Sequence, residues 1–78
     1  MPAVTVRYWA GARRAAGHDS EVCSAATLGE LLDLLTRRTE LAGVVAACSF
    51  LVDGVASSPP ATLRDGQIVD VLPPFAGG

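Results

Sequence analysis

The segment TLGELLDLLTRR, residues 27–38, most restricts what these 78 residues can fold into. Thr27-Leu28-Gly29-Glu30 has the Ser/Thr-x-x-Glu form of a capping box, in which a hydroxyl and a carboxylate satisfy orphan N–H groups at a helix start. Leu28, Leu31, Leu32 and Leu35 then fall at i, i+3, i+4 and i+7, one continuous apolar stripe. Arg37 and Arg38 follow where a helix dipole favours cations. A shorter stripe, Leu41, Val44, Val45 and Cys48, predicts one or two further turns, weakened by Gly43. One main helix with one apolar face needs a second layer to cover it.

Strand patterns on both sides of the helix supply that layer. AVTVRYW, residues 3–9, is rich in β-branched and aromatic residues and alternates. Val4, Val6 and Tyr8 share one face; Thr5, Arg7 and Trp9 share the other, which the arginine marks as solvent-facing. AGARRAAG reads as a small-residue connector with room for a helical turn before Gly17. DSEVCS, residues 19–24, reads as a second strand, paired with the first as a hairpin. SFLV at 49–52, Asp53-Gly54 and VAS form a hairpin with a type I′ turn signal. SSPPA is a loop, because paired prolines do not sit inside a paired strand. QIVDVL, 67–72, is the last strand.

The first and last strands are separated by a helix-bearing crossover and can therefore lie side by side and parallel. The expected fold is α+β: a β-grasp, with a mixed sheet of four to five strands packed on one main helix plus a short second helix. Residues 1–72 form this domain and residues 73–78 an extended tail. No repeat, linker or low-complexity segment interrupts it.

Composition narrows the function. A formal net charge of −2 excludes the basic footprint of a nucleic-acid binder. All six cations are arginine, so no side-chain amine is available for acylation. Arg13-Arg14 and Arg37-Arg38 read as solvated pairs, with contact to an acidic partner as the alternative. No signal-peptide pattern opens the sequence and no apolar run is long enough to span a membrane. The expectation is a cytoplasmic protein with Cys23 and Cys48 reduced and acting as small core residues. His18 is the only histidine, and no Cys/His cluster has ligand spacing, so neither nucleophilic cysteine chemistry nor a metal site is expected. A chain this short is too small for a deep active site of its own, so a partner is expected to share its chemistry.

The tail, Pro73-Pro74-Phe75-Ala76-Gly77-Gly78, is the part the fold does not require. Pro73 and Pro74 fix φ and favour extended geometry, so the chain is expected to project from the last strand. Six residues reach about 20 Å at roughly 3.3–3.6 Å each. Ala76-Gly77-Gly78 has almost no width and suits a narrow channel. A carboxyl carbon on Gly78 has no Cβ beside it to hinder attack. Paired glycines arise by chance in roughly half a per cent of sequences at average usage, and Phe75 would serve no purpose in a frayed end. The expectation is a carboxylate arm that works in a partner's site. At its root, Ile68 and Leu72 share by alternation the face that Asp70 marks as solvated, while Val69 and Val71 point inwards. With Trp9 they form a candidate docking patch; a central strand covered on both sides, with Asp70 at a rim, is the alternative.

PPFAGG preceded by LRDGQIVDVL, the stretch VRYWAGARRAAG and the DG between the two short strands together resemble the small-subunit family of molybdopterin synthase (MoaD type), within the ubiquitin-like sulfur carriers. The resemblance spans essentially the whole chain. It implies that a ubiquitin-activating-like adenylyltransferase (MoeB type) adenylates Gly78 with ATP, and that sulfide or a persulfide supplied by a sulfurtransferase displaces AMP to leave a thiocarboxylate. The large synthase subunit (MoaE type) then takes in the tail, and the sulfur attacks a pyranopterin to build the dithiolene that later holds molybdenum. Gly78 and Gly77 carry the chemistry, Phe75 and Ala76 are channel contacts, and the chain itself binds no cofactor and supplies no acid–base residue. The resemblance leaves sister carriers for thiazole (ThiS type) or cysteine synthesis open. A protein modifier that acylates lysines, and a binding module with an inert tail, are the other readings.

Overall fold

The computed structural model describes residues 1–74; Phe75, Ala76, Gly77 and Gly78 lie outside the described residues. The elements run β1 (Ala3–Tyr8), α1 (Ala10–Ala16), β2 (Ser20–Ser24), α2 (Leu28–Thr36), α3 (Thr39–Val45), β3 (Ser49–Val52), β4 (Val55–Ala56) and β5 (Ile68–Leu72). Five strands form one mixed sheet in the order β2-β1-β5-β3-β4. β1 and β5 are parallel at its centre, and every other pairing is antiparallel. This is the β-grasp expected from the order of elements.

The inner face of the sheet carries Val4, Val6, Tyr8, Val69 and Val71, all buried. Against them pack Leu28, Leu31 and Leu35 of α2, Leu41 and Val45 of α3, and Ala12 of α1. Leu32 is only partly buried and sits at the edge of this core. The capping box forms: Thr27 accepts from the Glu30 N–H at 3.2 Å, and the Glu30 carboxylate accepts from the Ala26 N–H at 3.3 Å. Gly29 lies in the first turn because the chain from 57 to 61 passes close by. Its N–H donates to the Pro59 carbonyl at 2.8 Å, and a Cβ there would stand 3.2 Å from that oxygen. The β3–β4 turn has φ of +49° at Asp53 and +81° at Gly54, as a type I′ turn requires.

The connector after β1 is more regular than the sequence suggested. It forms two turns of helix, α1, closed by Gly17 in the left-handed region with its N–H on the Arg13 carbonyl. Alanine's high helix propensity explains this, and the buried Ala12 anchors the helix to the core. Arg38 also differs from expectation. It follows the end of α2 but serves as the N-cap position of α3, and its guanidinium reaches Glu21 on β2. No helix among the described residues is long and apolar enough to cross a membrane.

Candidate functional site

Alternation along β5 divides its side chains. Val69 and Val71 are fully buried on the inner face; Ile68, Asp70 and Leu72 point to the outer face. The registers set their neighbours: Thr5 stands beside Ile68 and Arg7 beside Asp70, with Leu51 on Asp70's other side and Ser49 beside Leu72. Val22 and Ser20 extend the same face on β2, and Ala56 on β4.

Asp70 does not mark a solvated surface, as the sequence had suggested; it is 6% exposed. Arg7 Nε donates to Oδ1 at 2.6 Å and Nη2 to Oδ2 at 3.0 Å, a two-pronged pairing. Trp9 Nε1 donates to Oδ1 at 3.0 Å. The arginine and the indole thus roof the carboxylate, and the Arg7 guanidinium carbon stands 5.6 Å from the Trp9 ring centroid. Hydrogen bonds from Arg7 first, and from Trp9, hold the Asp70 carboxyl below the usual carboxylate range despite burial. The Arg7 guanidinium is correspondingly held in its charged form. The sheet is therefore covered on its inner face by the helices and, around Asp70, on its outer face by its own side chains.

Trp9 is 45% exposed, while Ile68, Leu51 and Leu72 are half-buried and Val22 is 70% exposed. The Trp9 backbone N–H donates to the Val71 carbonyl at 3.3 Å, which ties the main chain at residue 9 to the end of β5 where Pro73 and Pro74 leave the sheet. The next residue, Ala10, has φ of +46°, in the left-handed region that non-glycine residues rarely adopt, and turns the chain into α1. The register places Trp9, which follows the Tyr8–Val71 pair, and Leu72 at the tail's root; Ile68 shares their outer face but lies at the other end of β5, beside Thr5, with the Arg7–Asp70 pair between. The expected tail residues Phe75, Ala76, Gly77 and Gly78 lie outside the described residues.

A second polar cluster lies on the opposite face. Glu21 on β2 accepts from both terminal nitrogens of Arg38 and from the Tyr8 hydroxyl, and its Oε2 lies 3.2 Å from His18 Nε2. Hydrogen bonding to Arg38 is the main cause that lowers the Glu21 carboxyl to about 2. Burial first, then the bond to Glu21, raises the Tyr8 phenol well above its ordinary value. Cys23 and Cys48 are unpaired with each other and half-buried, and burial raises both thiols. Among the described residues, no group of three His, Cys, Asp or Glu side chains converges as a metal site.

Neither carboxylate cluster was predicted. For Asp70 the signal was present: Arg7 and Asp70 both fall on outward positions of strands expected to be parallel neighbours. Only the register was missing. For Glu21 no local pattern joins it to Arg38.

The fold has known relatives. A protein of Pyrococcus furiosus assigned as subunit 1 of molybdopterin converting factor is 28% identical, with a TM-score of 0.86 over 95% of this chain and 99% of that one. Small archaeal modifier protein 1 from Methanosarcina acetivorans is 24% identical, with a TM-score of 0.84 over 100% and 98%. A chain from the complex of subunits 1 and 2 of molybdopterin-converting factor from Helicobacter pylori is 23% identical, with a TM-score of 0.79 over 97% and 99%. No curated protein matches the sequence. The sequence profile of the ThiS family matches residues 6–78, from the first strand through the paired glycines, and the chain belongs to the ThiS family of ubiquitin-like β-grasp proteins.

Proposed function

We propose that this protein is a sulfur carrier and the small subunit of a molybdopterin synthase. The observation that carries the reading is the family match, which spans residues 6–78, from the first strand to Gly78. The likeness in fold and sequence to a molybdopterin converting factor subunit 1 supports this branch. The central, doubly covered β5 supports it as well, because a strand with neighbours on both sides gives the arm a rigid root.

In this reading a partner adenylyltransferase brings ATP, and a carboxylate oxygen of Gly78 attacks its α-phosphorus, releasing pyrophosphate. Hydrosulfide, released from a sulfurtransferase persulfide by a thiol that is oxidised to a disulfide, then attacks the carbonyl carbon of Gly78; the C–O bond to AMP breaks, AMP leaves, and the thiocarboxylate remains. Gly77 and Ala76 keep the arm narrow, Phe75 seats it, and Trp9, Ile68 and Leu72 dock the partner's surface. The large subunit supplies the acid–base groups for sulfur transfer. The chain is a donor rather than an enzyme, holds no cofactor and acts in the cytoplasm. The ThiS profile favours one rival specifically, a carrier whose acceptor is a thiazole precursor.

The test is intact mass with ATP, an adenylyltransferase and a sulfide donor, followed by fragmentation. Exchange of one oxygen for sulfur at a terminal Gly78 is expected, and a variant extended by one residue should show none while melting at the same temperature. Turnover of a pyranopterin, as against a thiazole precursor, by the charged protein with the large subunit then assigns the branch. A known carrier converted in parallel, with this chain left unchanged or joined to lysines as an amide, overturns the reading.

A further inference from the structure

The outer face of the sheet carries one charged pair, Arg7 and Asp70, among Thr5, Ser20, Val22, Ser49, Leu51, Ala56, Ile68 and Leu72. The pair is not seen equally from outside. The Asp70 side chain is 8% exposed and the Arg7 side chain 45%. A guanidinium has five N–H donors. Pairing with Asp70 uses the Nε hydrogen and one on Nη2, leaving both hydrogens of Nη1 and the second of Nη2 directed away from the carboxylate. A formally neutral pair therefore presents only its donor half to whatever covers the sheet. The charge lies next to the exposed Trp9, and the two residues share a notch of about 240 Å³ with Arg13, Asp19 and Ser20. Arg13 faces Asp19 at 3.5 Å, both well exposed, so this corner adds no net negative charge.

A face of aliphatic, serine and threonine side chains with an aromatic anchor, a half-exposed arginine and unused donors has the make-up of a binding hot spot. Its complement is an acidic side chain, because a planar guanidinium edge matches a carboxylate in two-pronged geometry. We propose that the protein docking on this face places an Asp or Glu carboxylate against the outward edge of Arg7, which makes Asp70–Arg7–partner carboxylate a three-member stack at the centre of the interface. Asp70 acts here as a positioning residue: it grips the guanidinium through Nε and Nη2 and holds the Trp9 indole beside it through Oδ1. The inference rests on the sulfur-carrier reading for the identity of the partner, a folded protein that handles the tail.

Removing Arg7 alone would strand the Asp70 carboxylate, so the decisive variant is R7L/D70V, which replaces the pair by apolar residues suited to a strand. The experiment measures binding of the purified large subunit and adenylyltransferase from the source organism to the wild-type and variant chains at several salt concentrations. Melting temperature and thiocarboxylate formation at Gly78 are followed in parallel. Expected are an unchanged fold, at least a tenfold weaker complex with one of the two proteins, and a shallower salt dependence; R7K should recover only part of the loss. If the variant binds both proteins as tightly as wild type, or tighter, the face is a purely apolar dock and the carboxylate is absent. If the wild-type chain binds neither protein and acquires no sulfur, the sulfur-carrier reading falls and this inference with it.

Discussion

Two carboxylates, Glu21 and Asp70, are held in nearly the same way on opposite faces of one sheet. Each takes both prongs of an arginine and one aromatic donor, Tyr8 for Glu21 and Trp9 for Asp70. The two aromatic residues are adjacent in sequence, and alternation sends one to each face. The difference lies in what each arginine is attached to. Arg38 belongs to the junction of α2 and α3, so the Glu21 cluster ties an edge strand to the helical layer. Arg7 belongs to β1, so the Asp70 cluster ties together two strands already joined by a ladder. Glu21 therefore stabilises the packing of layers, while Asp70 shapes a surface.

The largest effect is expected from breaking the first cluster. Glu21→Ala leaves the Arg38 guanidinium and the Tyr8 hydroxyl without their acceptor, at a cost of about 2 kcal/mol. Thermal unfolding should fall by roughly 10 °C. A shift of only a degree or two would show that the cluster is screened by solvent and that the core alone holds β2.

Next in size is the response to acid. The Glu21 carboxyl is lowered from 4.5 to about 2 in the folded chain. A depressed folded value gives stability that is present above pH 4.5 and is lost as pH falls from 4.5 towards 2. Denaturant unfolding at a series of pH values should show this limb, and Glu21→Gln should flatten it. Equal acid limbs in the two proteins would assign the loss to other carboxylates. Tyr8 has the opposite sign. Its raised phenol value means stability that is full below pH 10 and declines as pH rises beyond it. Because Tyr8 is the only tyrosine, phenolate absorbance reports it alone; ionisation near pH 10 without loss of fold would break the assignment.

These two clusters also mark what was legible in the sequence. Strand faces, the helix start at Thr27, the I′ turn at Asp53-Gly54 and the parallel pairing of β1 with β5 rest on local periodicity and turn chemistry, which a short stretch carries by itself. That Trp9, Ile68 and Leu72, the candidate docking residues, share the outer face was legible because alternation assigns each of them to it; that Ile68 lies a strand's length from Leu72 and the tail follows from the same strand. The burial of Asp70 was not legible, since it depends on a register that brings residues 7 and 70 side by side across 63 positions. Arg38 likewise read as a dipole partner for its own helix, because nothing near it points to an edge strand 17 residues back. α1 was underestimated for a different reason: an alanine-rich stretch lacks the large apolar stripe by which a helix is usually recognised.

The smallest change in stability, and the sharpest contrast, is expected from Asp70→Asn. With its oxygen at the Oδ1 position the amide still accepts from Arg7 Nε and Trp9 Nε1, but its NH2 now faces Nη2 and the charge that Arg7 pairs with is lost. The pair lies under a half-exposed guanidinium, where solvent screens it. The melting temperature should therefore fall by less than half as much as in Glu21→Ala. Trp9 is the only tryptophan, so its emission reads the outer face without interference. Losing a charged acceptor 3.0 Å from the indole nitrogen should shift that emission in the folded variant. The same shift should appear when wild type is acidified through the depressed Asp70 value. Glu21→Ala, measured below its own unfolding temperature, should leave Trp9 emission where it was. If Glu21→Ala moves the indole signal as much as Asp70→Asn does, the two faces are coupled through β1, and the division between a clamp that holds layers and a pair that shapes a surface fails.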